Sequence, residues 1–437
     1  MSARQQRFVT IPGGQVAGEI RVPGDKSISH RAAILGAVAE GTTEIHGFLE
    51  GEDCLATLAA LAAMGVGIER PGSGRVRIQG VGLAGLKPPP AALDLGNSGT
   101  SMRLLTGLLA GQAFDAILIG DASLMSRPME RVAAPLRRMG ADVSTNEGRP
   151  PVAIRGGRAL RGVEHRLEVP SAQVKSALLL AGIQAQGRTI VHEPGTSRDH
   201  TERMLGAFGV QVSRDVGAVA VEGRARLQGT HIDVPGDFSS AAFFIVAALV
   251  AGREALRICN VGVNPTRTAL IDILRMMGAD IRTHLLAEVA GEPRADIEVR
   301  PGSLRGIVVP EALVPVAMDE LPVLFAAAAV AEGETVVTGA GELRVKESDR
   351  LAAMAQGLTT LGIRVESRPD GLRIHGGAVS GGEVDCRGDH RIAMSFAVLG
   401  ARARAPVVID DVQNVATSFP GFTVLARSAG LRFEDDA

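Results

Sequence analysis

Pro23-Gly24-Asp25-Lys26-Ser27-Ile28-Ser29-His30-Arg31 sets two strong bases and two hydroxyls just ahead of the apolar run Ala32 to Val38. Read as a strand end, a glycine turn and a helix opening on small polar residues, it leaves backbone N–H groups unpaired at a positive dipole end. Anions bind well at such a place. With the helix starting near Ser27, Ser27 and Arg31 lie four residues apart on one face and can reach one ligand. An ordinary capped helix with two solvated bases fits the same residues, so recurrence has to separate the two readings. More bases stand in or near comparable turns: Arg103, Arg127, Lys175 and Arg198 in the first half. In the second half, Leu343-Arg344-Val345-Lys346-Glu347-Ser348-Asp349-Arg350 puts Lys346 and Arg350 four apart on an expected helical face with Glu347 beside them, and Asp389-His390-Arg391 opens a long apolar helix.

Bases gathered without partners repel one another, by roughly 4 kcal/mol for a pair 4 Å apart at an effective dielectric near 20. A small polyanion carrying phosphates and carboxylates would reverse that sign. Asp319, between Met318 and Glu320-Leu321-Pro322, caps an expected helix or accepts the proton of a substrate hydroxyl, and spacing alone leaves both open. The Arg344 to Arg350 run likewise fits a salt-bridged helix start. His30 and His200 read as structural rather than catalytic.

The elements that must position these residues repeat. Six times an apolar helical run ends at Gly, in Met64-Gly65, Met139-Gly140, Phe208-Gly209, Met277-Gly278, Leu361-Gly362 and Ala429-Gly430, roughly 70 to 85 residues apart. Glycine there suits a left-handed helix end followed by a strand. Each unit starts with a strand, a polar turn and an Ala/Leu-rich helix, at Pro23, Leu95, Val169, Val234, Met318 and Cys386, capped by Ser, Asp, Asn or Gly. A further strand lies between the two helices of each unit. The expectation is an α/β protein of six βαβαββ units, three per domain. Its domains are 22–232, and 1–21 plus 233–437, with the strand Phe8 to Ile11 joining the later one and the site in the cleft between them. The stretches Gly82 to Pro90 and Gly291 to Gly302 read as surface connections.

Composition narrows the function. The 437 residues carry 46 Lys+Arg against 48 Asp+Glu, which excludes a bulk basic field for nucleic acid, so anion binding has to be local. Cys54, Cys259 and Cys386 are scattered, giving neither a disulfide framework nor a zinc knuckle and fitting a reducing cytoplasm. Trp and Tyr are absent, which removes most base-stacking platforms and any Tyr general acid. The apolar run Ala241 to Ala251 is too short to span a membrane and reads as a buried helix. No P-loop, dinucleotide fingerprint, H-E-x-x-H or G-x-S-x-G occurs.

Six motifs in order, Gly24 to Arg31, Leu95 to Thr100, Arg127-Pro128-Met129, Ser171-Ala172-Gln173-Val174-Lys175, Arg344 to Leu351 and Asp389 to Met394, resemble the enolpyruvyl transferases over essentially the full chain. The resemblance implies the two-domain pseudo-symmetric enolpyruvyl transferase fold. It implies transfer of the enolpyruvyl group of phosphoenolpyruvate to the 5-hydroxyl of shikimate 3-phosphate with release of phosphate, without metal or organic cofactor. C3 is protonated, the hydroxyl adds at C2, and phosphate leaves a tetrahedral intermediate. By the same resemblance, Lys26, Asn97, Gly99, Arg127, Gln173, Arg350 and Arg391 hold phosphoenolpyruvate. Lys26, Ser27, Arg31, Ser171, Ala172, Gln173, Arg198, Asp319 and Lys346 hold shikimate 3-phosphate. Asp319 is the expected base and Glu347 the acid, with Lys26 completing the catalytic set. A cytoplasmic monomer with no nucleic-acid or membrane partner is expected.

The chain departs from many members of the family at Ala172, where a second Ser is common, and at Ser197-Arg198-Asp199-His200, where a Tyr is common and Arg198 stands in as a phosphate contact. It also lacks a Lys before Phe419-Pro420. These differences resemble the branch that holds herbicide-tolerant bacterial enzymes. Gly99, however, keeps open a slot that tolerant members fill with a methyl, so glyphosate is expected to inhibit unless Leu104, a Pro in other relatives, shifts the helix. The rival acceptor is UDP-N-acetylglucosamine, but the sister enzymes that use it carry a reactive Cys in a mobile loop, and the Leu124 to Arg131 stretch has none. A noncatalytic anion-binding module and an enzyme of RNA 3′ ends are the readings from other classes; Asp319 and Glu347 argue against both.

Overall fold

Six helices open the repeated units: Lys26–Ala37, Gly99–Leu109, Ala172–Gly182, Phe238–Ala251, Leu321–Ala328 and His390–Gly400. Five are capped by a side chain that accepts a backbone N–H of the first turn, from Asp25, Ser98, Ser171, Asp237 and Asp389. Each such cap satisfies a donor the helix cannot, typically stabilising it by about 1 kcal/mol. Leu321–Ala328 is the exception. Its cap position is Glu320, with no side-chain bond, and Pro in its first turn fixes the entry instead. Asp319 is therefore not a helix cap. At the far end of the units, Gly65, Gly140, Gly209, Gly278, Gly362 and Gly430 all have φ between +85° and +104°. The chain leaves each helix through the left-handed region, where a Cβ would be strained.

The computed structural model describes residues 6–434. It separates into two units, an N-half unit of Gly24–Val234 with Glu288–Glu292, and a C-half unit of the rest. Among the described residues the strands form six sheets, five of four strands and one of three. The pattern is plainest in the order Leu93–Asp94, Ala116–Ile119, Arg149–Arg155, Asp142–Asn146, in which the first pair is parallel and the others antiparallel. In the three-stranded sheet of Glu334–Val337, Gly371–His375 and Arg364–Arg368, isolated parallel bridges from Arg305 and Val308 stand where a leading strand would be.

Two leading strands are exchanged. Val16–Ile20, which precedes the Lys26 helix, pairs with Gly252–Gly262, while His231–Asp233, which precedes the Phe238 helix, pairs with Glu40–His46. The last unit is closed by the N-terminal strand Arg7–Ile11, inserted between Val407–Asp410 and Arg432–Phe433. Phe8 holds it there, its ring centroid 6.2 Å from those of both Phe422 and Phe433. The stretch 291–302 is not a surface connection: Arg294–Arg300 is a central strand whose Ala295, Ile297 and Val299 are buried. The flanking Gly and Pro residues mask that period-two pattern in the sequence.

Each unit has its own apolar core, and that of the C-half unit takes in most of the phenylalanines. Phe238–Ala251 is buried from Phe238 through Val250, so the run that includes Ala241 to Ala251 is an internal helix. Among the described residues no helix is long and apolar enough to cross a membrane. Small residues bring helices together, and a Cβ on Gly107 would lie 2.2 Å from the Ala177 carbonyl oxygen of the neighbouring helix. All three cysteines are buried and none forms a disulfide.

His165, on Glu164–Arg166, is 1% exposed, and neither ring nitrogen has a hydrogen-bond partner among the described residues. Burial, with Arg138 nearby, lowers it to about 4. As pH falls below the unfolded value near 6.5, the unfolded chain takes up a proton that the folded chain refuses. Stability is then complete above pH 6.5, falls by about 3 kcal/mol towards pH 4 and levels off below it. Urea unfolding of His165→Leu at pH 7 and pH 4.5 should show a smaller acid loss than the wild type; an equal loss in both would exclude His165 as its source.

Candidate active site

In the N-half unit the Lys26 helix carries the first group. Lys26 forms an ion pair with Asp53. Arg31, 4% exposed, is held on three sides: Nε donates to Thr201 Oγ1 at 2.6 Å, Nη1 to the Ser27 carbonyl at 2.9 Å and Nη2 to Ser176 Oγ at 2.8 Å. The Ser27 to Arg31 spacing thus works as one turn of helix. Ser176 Oγ donates to the Ala172 carbonyl at 2.6 Å, which ties Arg31 to the helix capped by Ser171. Burial pulls the Arg31 guanidinium down to about 10, opposed by Glu202 and Asp25 and reinforced by repulsion from half-buried Arg198.

Asn97, Gly99, Arg127 and Gln173 form a second patch around the start of Gly99–Leu109. Arg127 Nη2 donates to Asn97 Oδ1 at 2.5 Å, and Asn97 Nδ2 donates to Asp121 Oδ2 at 2.7 Å. Arg103 Nη1 donates to Gln173 Oε1 at 2.5 Å, and Gln173 Nε2 donates to Thr100 Oγ1 at 2.9 Å. Gly99 lies between them; a Cβ there would come within 3.0 Å of Arg103 Nη1 and 3.2 Å of Arg127 Nη1. Lys175 is placed differently. It is 3% exposed, with Nζ 2.6 Å from Glu193 and 2.8 Å from Glu202, and so serves the packing of its unit. His30 and His200 are structural as well. His30 Nδ1 lies 2.8 Å from Thr57 Oγ1, and burial beside Lys26 and Arg31 holds it well below the usual imidazole value; His200 Nδ1 lies 2.7 Å from Glu292 Oε1.

In the C-half unit Asp319, Lys346, Glu347, Arg350 and Arg391 come together. Asp319 Oδ1 is 3.5 Å from Lys346 Nζ and 3.6 Å from Arg350 Nη1, and its Oδ2 is 3.8 Å from Arg391 Nη2. Arg391 Nη1 also donates to the Asp319 carbonyl at 2.7 Å. Arg350, 1% exposed, donates through Nε to Asp389 Oδ2 at 2.8 Å and through Nη2 to Glu347 Oε2 at 2.5 Å. Burial works against its charge, yet Asp389, Glu347 and Asp319 together lift it above the ordinary guanidinium value. Lys346 and Arg350 do not share a helix: Lys346 ends the 3-10 turn Gly341–Val345, and the helix Arg350–Thr360 begins only after Asp349 caps it.

Sequence reasoning missed the partners that hold these bases: Asp53 at Lys26, Thr201 and Ser176 at Arg31, Asp121 at Asn97, and Asp389 at Arg350. It also missed a deeper set behind Arg391, where Ser239 Oγ donates to Glu320 Oε1 at 2.5 Å and Arg267 Nη2 donates to Ser239 Oγ at 2.6 Å. Arg391 Nη2 reaches the same Ser239 Oγ at 3.2 Å. Asp237-Phe238-Ser239 is one of the recurring polar turns, a signal that could have drawn Ser239 into the candidate set.

The family model for EPSP synthase (3-phosphoshikimate 1-carboxyvinyltransferase) matches residues 11–424. The chain is 60% identical over 428 residues to the 3-phosphoshikimate 1-carboxyvinyltransferase of Methylococcus capsulatus, covering 98% of each chain. It is 59% identical over 433 residues to that of Halorhodospira halophila, covering 99% of this chain and 98% of the other. A solved EPSP synthase structure from Acinetobacter baumannii superposes with a TM-score of 0.89 at 52% identity, over 98% of this chain and 99% of that one.

Proposed function

The chain belongs to the EPSP synthase (3-phosphoshikimate 1-carboxyvinyltransferase) family, and from that membership we propose that the residue groups of its two units share the work of one enolpyruvyl transfer. The reaction moves the enolpyruvyl group of phosphoenolpyruvate to the 5-hydroxyl of shikimate 3-phosphate and releases phosphate; transfer to UDP-N-acetylglucosamine is not favoured. In this reading Lys26, Ser27, Arg31, Ser171, Ala172, Gln173, Arg198, Asp319 and Lys346 bind shikimate 3-phosphate. Lys26, Asn97, Gly99, Arg127, Gln173, Arg350 and Arg391 bind phosphoenolpyruvate. Support comes from the convergence of Lys346, Arg350 and Arg391 on Asp319, which sets three cations beside the one carboxylate.

Asp319 carries the reading. As the hydroxyl oxygen forms its bond to C2, Asp319 takes the hydroxyl proton and Glu347 supplies a proton to C3, leaving a tetrahedral intermediate. The C2–O bond to phosphate then breaks, C3 gives up a proton and the enolpyruvyl double bond returns. Lys346, Arg350 and Arg391 balance the carboxylates and the departing phosphate. The test is phosphate release from phosphoenolpyruvate with shikimate 3-phosphate or UDP-N-acetylglucosamine as acceptor, for the wild type and Asp319→Asn. Release with shikimate 3-phosphate alone, lost in the variant, supports the assignment. Release that survives in the variant overturns the role of Asp319. The buried cysteines, none in a disulfide, fit a cytoplasmic setting, and we take the working form to be a monomer.

Gly99→Ala tests the phosphoenolpyruvate patch and the expected glyphosate inhibition together. The new methyl adds no φ strain and meets only the ends of Arg103 and Arg127, so folding should be unaffected while both guanidinium groups shift by a few tenths of an ångström. A displaced guanidinium weakens charge-assisted bonds, so the KM for phosphoenolpyruvate should rise about tenfold, with a matching rise in the glyphosate needed for half inhibition. An unchanged KM would remove Gly99 from the patch.

A further inference from the structure

The parallel pair His231–Asp233 and Glu40–His46 carries four metal-ligand side chains in a checkerboard. The register sets His231 opposite Glu44 and Asp233 opposite His46. Residues two apart on a strand share a face, so all four project from the same side of the sheet. One ligand atom each from Glu44, His46 and His231 lies within 4.8 Å of the others, and the two imidazole rings meet edge to face at 4.6 Å. Asp233 Oδ1 reaches both rings, 2.9 Å from His231 Nε2 and 3.5 Å from His46 Nδ1.

We propose that Glu44, His46 and His231 form a surface site for a zinc-class divalent ion, with Asp233 orienting both imidazoles. A ligating histidine usually turns its second ring nitrogen to a carboxylate, which fixes its tautomer. Asp233 is hydrogen-bonded to His231 Nε2 and lies 3.5 Å from His46 Nδ1, which would direct His231 Nδ1 and His46 Nε2 to the ion. Two imidazoles and one carboxylate with an open fourth position are a familiar zinc donor set. A tetrahedral site with zinc–ligand bonds near 2.0–2.1 Å needs donors about 3.3 Å apart, so the side chains must draw in from their spread of up to 4.8 Å when the ion binds. Arg77 bonds to Oε1 of Glu44 at 3.1 Å, which leaves Oε2 for the metal. None of the four side chains is assigned to catalysis, although Gly47 and Val234 beside them pack against Gly24. The site ties the last strand before Val234, where the N-half unit ends, to its neighbour.

The experiment titrates Zn2+ against a chromogenic chelator in competition with the full-length protein. The wild type should take up one Zn2+ saturably and unfold at a higher temperature as Zn2+ is added. His46→Ala and His231→Ala should each weaken uptake about 100-fold, and Asp233→Asn about tenfold, with steady-state transferase activity unchanged in all three. The four side chains are 41% to 48% exposed, so the variants should fold, which circular dichroism checks. His284→Ala, exposed on the C-half unit, should bind as the wild type does. Absence of saturable uptake by the wild type, or equal uptake by both histidine variants, would overturn the site.

Discussion

Asp319→Asn should fold, bind both substrates and lose about 10² to 10⁴ of kcat, the range a positioned general base supplies. The substitution keeps the shape and removes only the group that takes the hydroxyl proton. The neighbouring bases keep other partners: Arg350 still holds Asp389 and Glu347, and Arg391 Nη1 stays 3.6 Å from Glu320 Oε1. The backbone bond from Arg391 to residue 319 uses the carbonyl and survives. The loss should therefore sit in kcat, with the KM for phosphoenolpyruvate within a few-fold of wild type, because one fewer carboxylate leaves the cluster more attractive to anions. A rise in KM with kcat preserved would make Asp319 a residue of substrate binding alone. Activity within tenfold of wild type would place the base elsewhere.

The six-fold repeat was legible because it rests on local rules. A glycine after an apolar helix means a left-handed exit, and all six such glycines have positive φ. A small polar residue before a helix means a cap, and five of the six act as caps. Strand partners were not legible. Val16–Ile20 and His231–Asp233 each precede a helix in the expected way, yet each joins the sheet of the other helix. Turn chemistry fixes where a strand lies in the chain, and packing of distant segments fixes its neighbour.

For the candidate site, sequence found the bases and missed what holds them. Lys175 shows why: as a base in a turn it looks like Lys26, but its partners Glu193 and Glu202 come from other segments. Lys346 and Arg350 share a helical spacing without sharing a helix, since Asp349 restarts the chain between them. Such partners lie far along the chain, where no short-range pattern reaches.

Arg350→Met carries the largest expected loss of stability. Arg350 is 1% exposed and is the common partner of three carboxylates, those of Asp389, Glu347 and Asp319. Asp389 is itself fully buried and caps His390–Gly400. Removing the guanidinium leaves that buried charge with its cap bond and the Ser348 hydroxyl, a loss of about 3–5 kcal/mol by the usual cost of breaking a buried pair. Arg350→Lys should recover only part of this, because an ammonium cannot reproduce the fork that serves Asp389 and Glu347 together. The decisive comparison is urea unfolding of Arg350→Met, Asp389→Asn and the double variant. Where the penalty is an uncompensated charge, Asn at 389 keeps the cap while removing the charge, and the double variant should be more stable than Arg350→Met alone. Additive losses would mean that Arg350 stabilises the unit through packing of its side chain, with its ion pairs contributing little.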